Sequence, residues 1–187
     1  NNDFTTTLGR ESGIEVHGSH DEQEYRVTLA DTGQETMTGG RIRRIKSYVE
    51  GDTFLLTYGD GVSDIDIGAL VKFHSSHGRL ATVTAVRPTS RYGVMDLEPN
   101  GNVMRFEEKP ELNAWISAGY FVLDRRVFDY LDDDDCIFER EPLQRLADEG
   151  QLAAFRHSGS FHMMDTYREY QELNHLWNSG QAPWRTW

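Results

Sequence analysis

Four short apolar runs, residues 53–58 (TFLLTY), 80–86 (LATVTAV), 120–123 (YFVL) and 151–155 (QLAAF), punctuate the chain, and helical periodicity follows three of them. Strands this short and this apolar are buried on both faces, and amphipathic helices between them are what covers those faces. The pattern predicts an α/β fold: a mixed, mainly parallel sheet with helices on both faces. Ligands of such a sheet sit beyond the carboxyl ends of its strands.

After the first run, Gly59-Asp60-Gly61 marks a tight loop. Ser63, with an acid three places on at Asp66, reads as the start of a helix carried by Ile67, Leu70, Val71 and His74 to a stop at Gly78. Asn100-Gly101 lies between 92–97 and 103–106 and predicts an inserted β-hairpin. Residues 138–149 read as a helix that tolerates Pro142 in its first turn and stops at Gly150, and 167–178 as a last helix before Gly180. Upstream, 25–29 alternate like a strand, 30–40 form a polar, glycine-rich loop, and Ile42, Ile45 and Val49 share one face of a basic helical stretch. Residues 1–24 read as an irregular or edge segment. The whole, 1–187, is expected to be a single domain with a tail over 180–187.

Charge narrows the partners. With 31 acidic and 19 basic side chains the formal net charge is −12, which argues against a sequence-independent grip on nucleic acid or an anionic membrane. Cys136 is the sole cysteine, so an intrachain disulfide and a cysteine zinc cage are excluded, and a reducing, cytoplasmic address is expected. No run approaches the roughly 18 apolar residues of a membrane span, and no signal peptide opens the chain, which starts at Asn1 without Met.

Two carboxylates occupy equivalent places. Asp60 sits between small residues at the end of an apolar strand and ahead of a helix; Asp165 follows 161–164 (FHMM) and precedes Thr166-Tyr167-Arg168-Glu169, a capping box. Convergence of the two would suit a hard divalent cation bridging phosphate oxygens, the requirement of phosphoryl or nucleotidyl transfer. Each taken alone is also what an ordinary turn or helix cap looks like. Glu108 and Lys109, in 105–110 (RFEEKP), could meet sugar hydroxyls and a phosphate; a solvent-facing charge pair is the plainer reading. His74 and His77 lack a third metal ligand, the acidic run 132–135 lacks the spacing of a calcium loop, and Trp177, Trp184 and Trp187 suggest packing or a subunit contact.

Order and spacing together carry a resemblance. The stretches 31–45 (DTGQETMTGGRIRRI), 54–67 (FLLTYGDGVSDIDI), 91–98 (RYGVMDLE), 105–110, 116–124 (ISAGYFVLD), 141–155 (EPLQRLADEGQLAAF), 164–166 (MDT) and 180–187 (GQAPWRTW) are collinear with the sugar-1-phosphate nucleotidyltransferases. Within that family the chain looks like the glucose-1-phosphate cytidylyltransferases, which make CDP-glucose. The resemblance implies a Rossmann-like nucleotide-diphospho-sugar transferase fold, CTP and glucose 1-phosphate as substrates, Mg²⁺ as cofactor and a homo-oligomer. It also implies roles: Asp60 and Asp165 as catalytic metal ligands, and Thr38, Gly39, Gly40 and Arg41 along the nucleotide base. Tyr58, Gly93, Glu108, Lys109, Ser117 and Gly119 would surround the sugar phosphate.

The chain departs from the family at two places. The family opens with a strand, a glycine-rich loop like GGxGTR and a Lys-Pro motif that bind the triphosphate; here Gly-Gly occurs only at Gly39-Gly40 and Lys-Pro only at Lys109-Pro110. The chain therefore resembles an N-terminally truncated member, with apolar faces of 54–57 left open. Ser117 stands where the family has Asn, offering one hydroxyl in place of an amide. Two rival readings follow. One is a catalytically inactive remnant that binds sugar phosphate or only oligomerises. The other is a haloacid-dehalogenase-like phosphatase, suggested by the GDxxxD pattern of 59–64 but lacking an upstream Asp-x-Asp-x-Thr nucleophile.

Overall fold

A computed structural model describes residues 3–7, 13–17 and 26–186. It divides into two units, Asn1–Asp31 and Thr32–Trp187. In the first, β1 (Asp3–Thr7) and β2 (Gly13–His17) pair antiparallel with Phe4 opposite Val16, so part of the segment expected to be irregular or at an edge is a pair of strands. Residues 26–29 form no strand: Val27 and Leu29 are largely exposed and have no ladder to join, so alternation alone does not make a strand. Trp187 lies outside the described residues.

The second unit is built on a four-stranded sheet in the order β3-β8-β5-β9, from β3 (Thr53–Thr57), β5 (Ala81–Val86), β8 (Ile116–Asp124) and β9 (Leu152–Arg156). β5 and β9 are parallel, while β8 runs antiparallel to both β3 and β5. Three strands thus point one way and β8 opposes them. The reason lies in the connection: an excursion without a helix separates β5 from β8, and antiparallel neighbours need no crossover helix. That excursion carries the expected hairpin, β6 (Val94–Leu97) with β7 (Val103–Glu107), turning through Gly101 at φ +90°.

Side chains of β8 alternate between two cores. Phe121 and Leu123 pack with Ile42 of α1 (Thr38–Arg44), Val127 and Phe128 of a 3-10 turn (Arg125–Tyr130), Phe138, and Leu146 of α3 (Glu141–Asp148). Val122 faces the other way, onto Ile65 and onto Leu70 of α2 (Ile67–His77). Helices on both faces follow from this division. The β5/β8 register shifts between Val83 and Ala85, and the buried Thr84 hydroxyl in that bulge has no protein partner. Among the described residues β3 lies at the edge of the sheet instead of being buried on both faces, and Leu55 is 55% exposed. No helix among the described residues is long and apolar enough to cross a membrane.

Helix ends correct one reading and bear out another. Asp66, not Ser63, caps α2, accepting from the Ala69 amide at 2.8 Å, and Gly78 ends it in the left-handed region at φ +67°. The last helix, α4 (Tyr167–Asn178), has the expected capping box, with Thr166 and Glu169 satisfying each other's backbone amides.

His74 and His77 share one partner, the buried Thr82 hydroxyl, at 2.9 and 2.8 Å. Burial, then the neighbouring His77, holds the His74 imidazole below its ordinary pKa; burial and Arg79 do the same for His77. The native state therefore favours neutral rings, and the stability they contribute is complete above the unfolded value of about 6.5 and lost as the pH falls below it. The melting temperature should be level from pH 8 to 7 and decline between 6.5 and 5.5. His74→Asn should shrink that decline, as a thermal melt series would record.

Candidate active site

Backbone register brings together the two chain segments that carry Asp60 and Asp165. β4 (Gly61–Ser63) pairs antiparallel with β10 (Phe161–Met163), Gly61 opposite Met163, and the Met164 amide donates to the Asp60 carbonyl at 2.8 Å. Asp60 and Asp165 thus leave adjacent ends of one two-stranded ribbon, at the carboxyl end of β3. Asp60 precedes a strand instead of a helix, since α2 begins only at Ile67. The Tyr120 hydroxyl, donating to the Gly61 carbonyl at 2.9 Å, ties this ribbon to the central strand.

Asp165 holds a cation in this structure. Arg91 Nη2 lies 3.4 Å from Asp165 Oδ2 and 2.7 Å from Glu169 Oε1, while Glu169 Oε2 accepts from the Asp165 and Thr166 amides at 3.0 and 2.9 Å. Among the described residues no cluster of three or more metal-ligating side chains exists. A pair of hard carboxylates, one already drawing a guanidinium, is nevertheless the donor set Mg²⁺ uses when phosphates and water supply the rest. The residues fit the cofactor.

Tyr58 and Gly119 form a second point of convergence. Gly119, at φ +75°, lies against the Tyr58 ring, where an added Cβ would come within 2.6 Å. The Tyr58 hydroxyl donates to Glu139, which also accepts from the Thr38 hydroxyl at 2.7 Å. Burial first, then that bond to a carboxylate, raises the Tyr58 pKa well above the usual phenol value. Glu139 thereby joins the expected sugar pocket to the start of the expected nucleotide segment, a role sequence reasoning missed because Glu139 belongs to no motif. Tyr58→Phe should lower stability by about 0.5–1.5 kcal/mol in urea unfolding, the net worth of the hydrogen bond it removes.

Thr38, Gly39, Gly40 and Arg41 begin α1, earlier than the helical stretch predicted for this region. The Gly39 and Gly40 amides both donate to the Cys136 carbonyl, at 2.9 and 3.3 Å, and both glycines are buried against 134–136. Arg41 donates to the Thr32 hydroxyl and the Gln34 carbonyl at 2.8 and 3.0 Å.

Gly93, Glu108 and Lys109 lie together at the base of the β6/β7 hairpin. A Cβ on Gly93 would meet the Phe106 ring at 2.6 Å and the Glu108 carboxylate at 3.2 Å, and Lys109 takes a left-handed φ of +49°. Ser117, at the start of β8, accepts from the Gly119 amide at 3.2 Å. It lines a cavity of about 1150 Å³ together with Arg91, Trp115, Arg156 and Asp165. Of the expected site residues only Ser117 and Asp165 share that lining; Asp60, Tyr58, Gly93, Glu108, Lys109 and Gly119 stand outside it.

Asp64, the second acid of the GDxxxD pattern, accepts from His157 Nε2 at 2.9 Å and the Ser160 amide at 2.7 Å. Burial raises its pKa, but these hydrogen bonds outweigh burial and lower it overall. Its engagement there serves packing of the β4/β10 ribbon and gives the phosphatase reading no support.

Residues 11–166 match the family model described as nucleotidyl transferase. The glucose-1-phosphate cytidylyltransferase of Salmonella typhi is 48% identical over 179 residues, covering 95% of this chain and 69% of that protein. A probable glucose-1-phosphate cytidylyltransferase of Bacillus subtilis (strain 168) is 41% identical over 182 residues, covering 97% of this chain and 71% of its own length. Among solved structures, HddC from Yersinia pseudotuberculosis superposes with a TM-score of 0.58 at 22% identity, over 77% of this chain and 64% of HddC. A putative glucose-1-phosphate thymidylyltransferase from Bacillus anthracis gives 0.54 at 21% identity, over 82% and 64%. The chain thus shares the fold of these structures and spans just under two thirds of their length.

Proposed function

The chain belongs to the nucleotidyl transferase family, and from that premise we propose that it transfers the cytidylyl group of CTP to glucose 1-phosphate. A phosphate oxygen of glucose 1-phosphate attacks the α-phosphorus of CTP, the bond from that phosphorus to the bridging oxygen breaks, and pyrophosphate leaves with the electron pair. CDP-glucose is the other product. The observation that carries this reading is the pairing of β4 with β10, which delivers Asp60 and Asp165 to one edge.

Asp60 and Asp165 would hold Mg²⁺, which when bound supplies charge neutralisation for the phosphate oxygens. The remaining work is alignment by this chain's own side chains. Thr38, Gly39, Gly40 and Arg41 are read as the edge along the base. Tyr58, Gly119 and Ser117 bound the sugar phosphate from the sheet, and Gly93, Glu108 and Lys109 bound it from the hairpin. Lys109 brings a point charge to the phosphate, and Glu108 an acceptor for sugar hydroxyls.

Nucleotide choice tests the reading. Product formation from glucose 1-phosphate with CTP, UTP, GTP and dTTP in turn, followed by anion-exchange chromatography, should give CDP-glucose at least about tenfold faster than any other nucleotide sugar, a gap of roughly 1.4 kcal/mol in the barrier. Equal rates would refute the cytidylyl assignment.

A further inference from the structure

Arg91 is not one of the residues the proposed reaction uses, yet it ties the base of the β6/β7 hairpin to Asp165. Backbone bonds fix its surroundings: the Ser90 amide donates to the Pro110 carbonyl at 2.8 Å, and Thr89 bridges to Glu111, so Arg91 leaves the base of the same hairpin that carries Gly93 and Glu108. From there its guanidinium reaches across to α4, 2.7 Å from Glu169 and 3.4 Å from Asp165.

The two acceptors are unequal. Glu169 is the better held: its carboxylate also accepts two backbone amides, and its side chain is 24% exposed against 47% for Asp165. The looser, more exposed contact to Asp165 is the kind of pair worth only about a fivefold factor in an equilibrium. A divalent cation can displace it at that cost while Arg91 keeps its bond to Glu169.

We propose that Arg91 is the resident counter-ion of Asp165: it holds and orients that carboxylate before the divalent ion enters, yields to the ion, and is retained by Glu169. The inference rests on the reading of Asp165 as a metal ligand. Arg91 is on this account a positioning residue, and metal affinity in the absence of substrates is the quantity it sets.

Mn²⁺ binding to the full chain without nucleotide or sugar phosphate, followed by loss of the free-ion electron paramagnetic resonance signal, measures that affinity independently of turnover. Arg91→Ala should tighten Mn²⁺ about fivefold, since the competing cation is gone. Glu169→Gln keeps an amide oxygen for the helix cap but removes the charge that draws Arg91 aside, so it should weaken binding about two- to threefold; in the Arg91→Ala background the same change should do less, the mark of a coupled pair. Arg168→Ala removes an equal charge three residues from Asp165 and should change nothing. Unchanged or weaker binding in Arg91→Ala, or equal tightening in Arg168→Ala, would overturn the inference. Asp165→Asn separates the two claims: full Mn²⁺ binding there would sink the metal-site reading itself, whereas loss there beside an unchanged Arg91→Ala would sink only the role of Arg91.

Discussion

Asp60→Asn and Asp165→Asn should each lower turnover about a thousandfold while shifting the melting temperature by no more than about 2 °C, because removing a group that stabilises transition-state charge costs far more in rate than in folding. Both side chains are exposed, and the one ion pair lost, Asp165 with Arg91, is a solvated surface contact. The α4 cap is made by Thr166 and Glu169, and the Asp165 backbone amide adds a bond to Glu169 that asparagine preserves. Raising Mg²⁺ should recover part of the activity of either variant, since one carboxylate remains. Steady-state pyrophosphate release beside thermal melts separates the two quantities. A variant that keeps wild-type turnover would remove that aspartate from the mechanism.

Gly40→Ala should have the largest effect on stability. An added Cβ would lie 2.7 Å from both Cα and the carbonyl oxygen of Asp134, and 2.7 Å from the Thr36 side chain. Two of those three atoms are backbone, which cannot rotate away, so α1 must lift off the loop. Lifting it stretches the amide bonds of Gly39 and Gly40 to the Cys136 carbonyl and loosens Ile42 from the core. Overpacking and a lost buried hydrogen bond together come to about 3 kcal/mol, or roughly 6–12 °C in a chain of this size. Gly59→Ala is the matched control: nothing lies within 4 Å of its added Cβ, so its cost should stay within about 0.5 kcal/mol. Urea unfolding of the two variants would measure the difference. A cost for Gly40→Ala no greater than that of Gly59→Ala would mean that α1 does not dock on this loop.

That glycine pair illustrates where sequence reasoning reaches and where it stops. The motif around Gly39-Gly40 was visible, but its smallness is used here by packing against 134–136, a contact between segments nearly a hundred residues apart. Local signals fared well wherever the determinant was itself local. The capping box of α4, the Gly78 stop of α2 and the Asn100-Gly101 turn all follow from chemistry within four residues. The direction of β8 was not local, because it depends on what kind of connection precedes it. β4 was missed for the same reason: Gly61–Ser63 is three residues long, and only its partner Phe161–Met163 makes it a strand. Asp60 and Asp165 were expected to occupy equivalent places ahead of helices; Asp60 instead precedes β4, and it is the β4/β10 ribbon that sets their backbones side by side. Glu139 and Arg91 were illegible as site residues because each matters through partners distant in sequence, Glu139 through Tyr58 and Thr38, Arg91 through Asp165 and Glu169.

The central claim is that this chain brings a nucleotide and a sugar phosphate together over Asp60 and Asp165. Incubating the 187-residue chain with CTP, glucose 1-phosphate and Mg²⁺, and following pyrophosphate and orthophosphate separately, tests it most directly. The account predicts pyrophosphate release that requires both substrates and falls about a thousandfold in Asp60→Asn and Asp165→Asn. Orthophosphate released without CTP, or no release of either product, would contradict it.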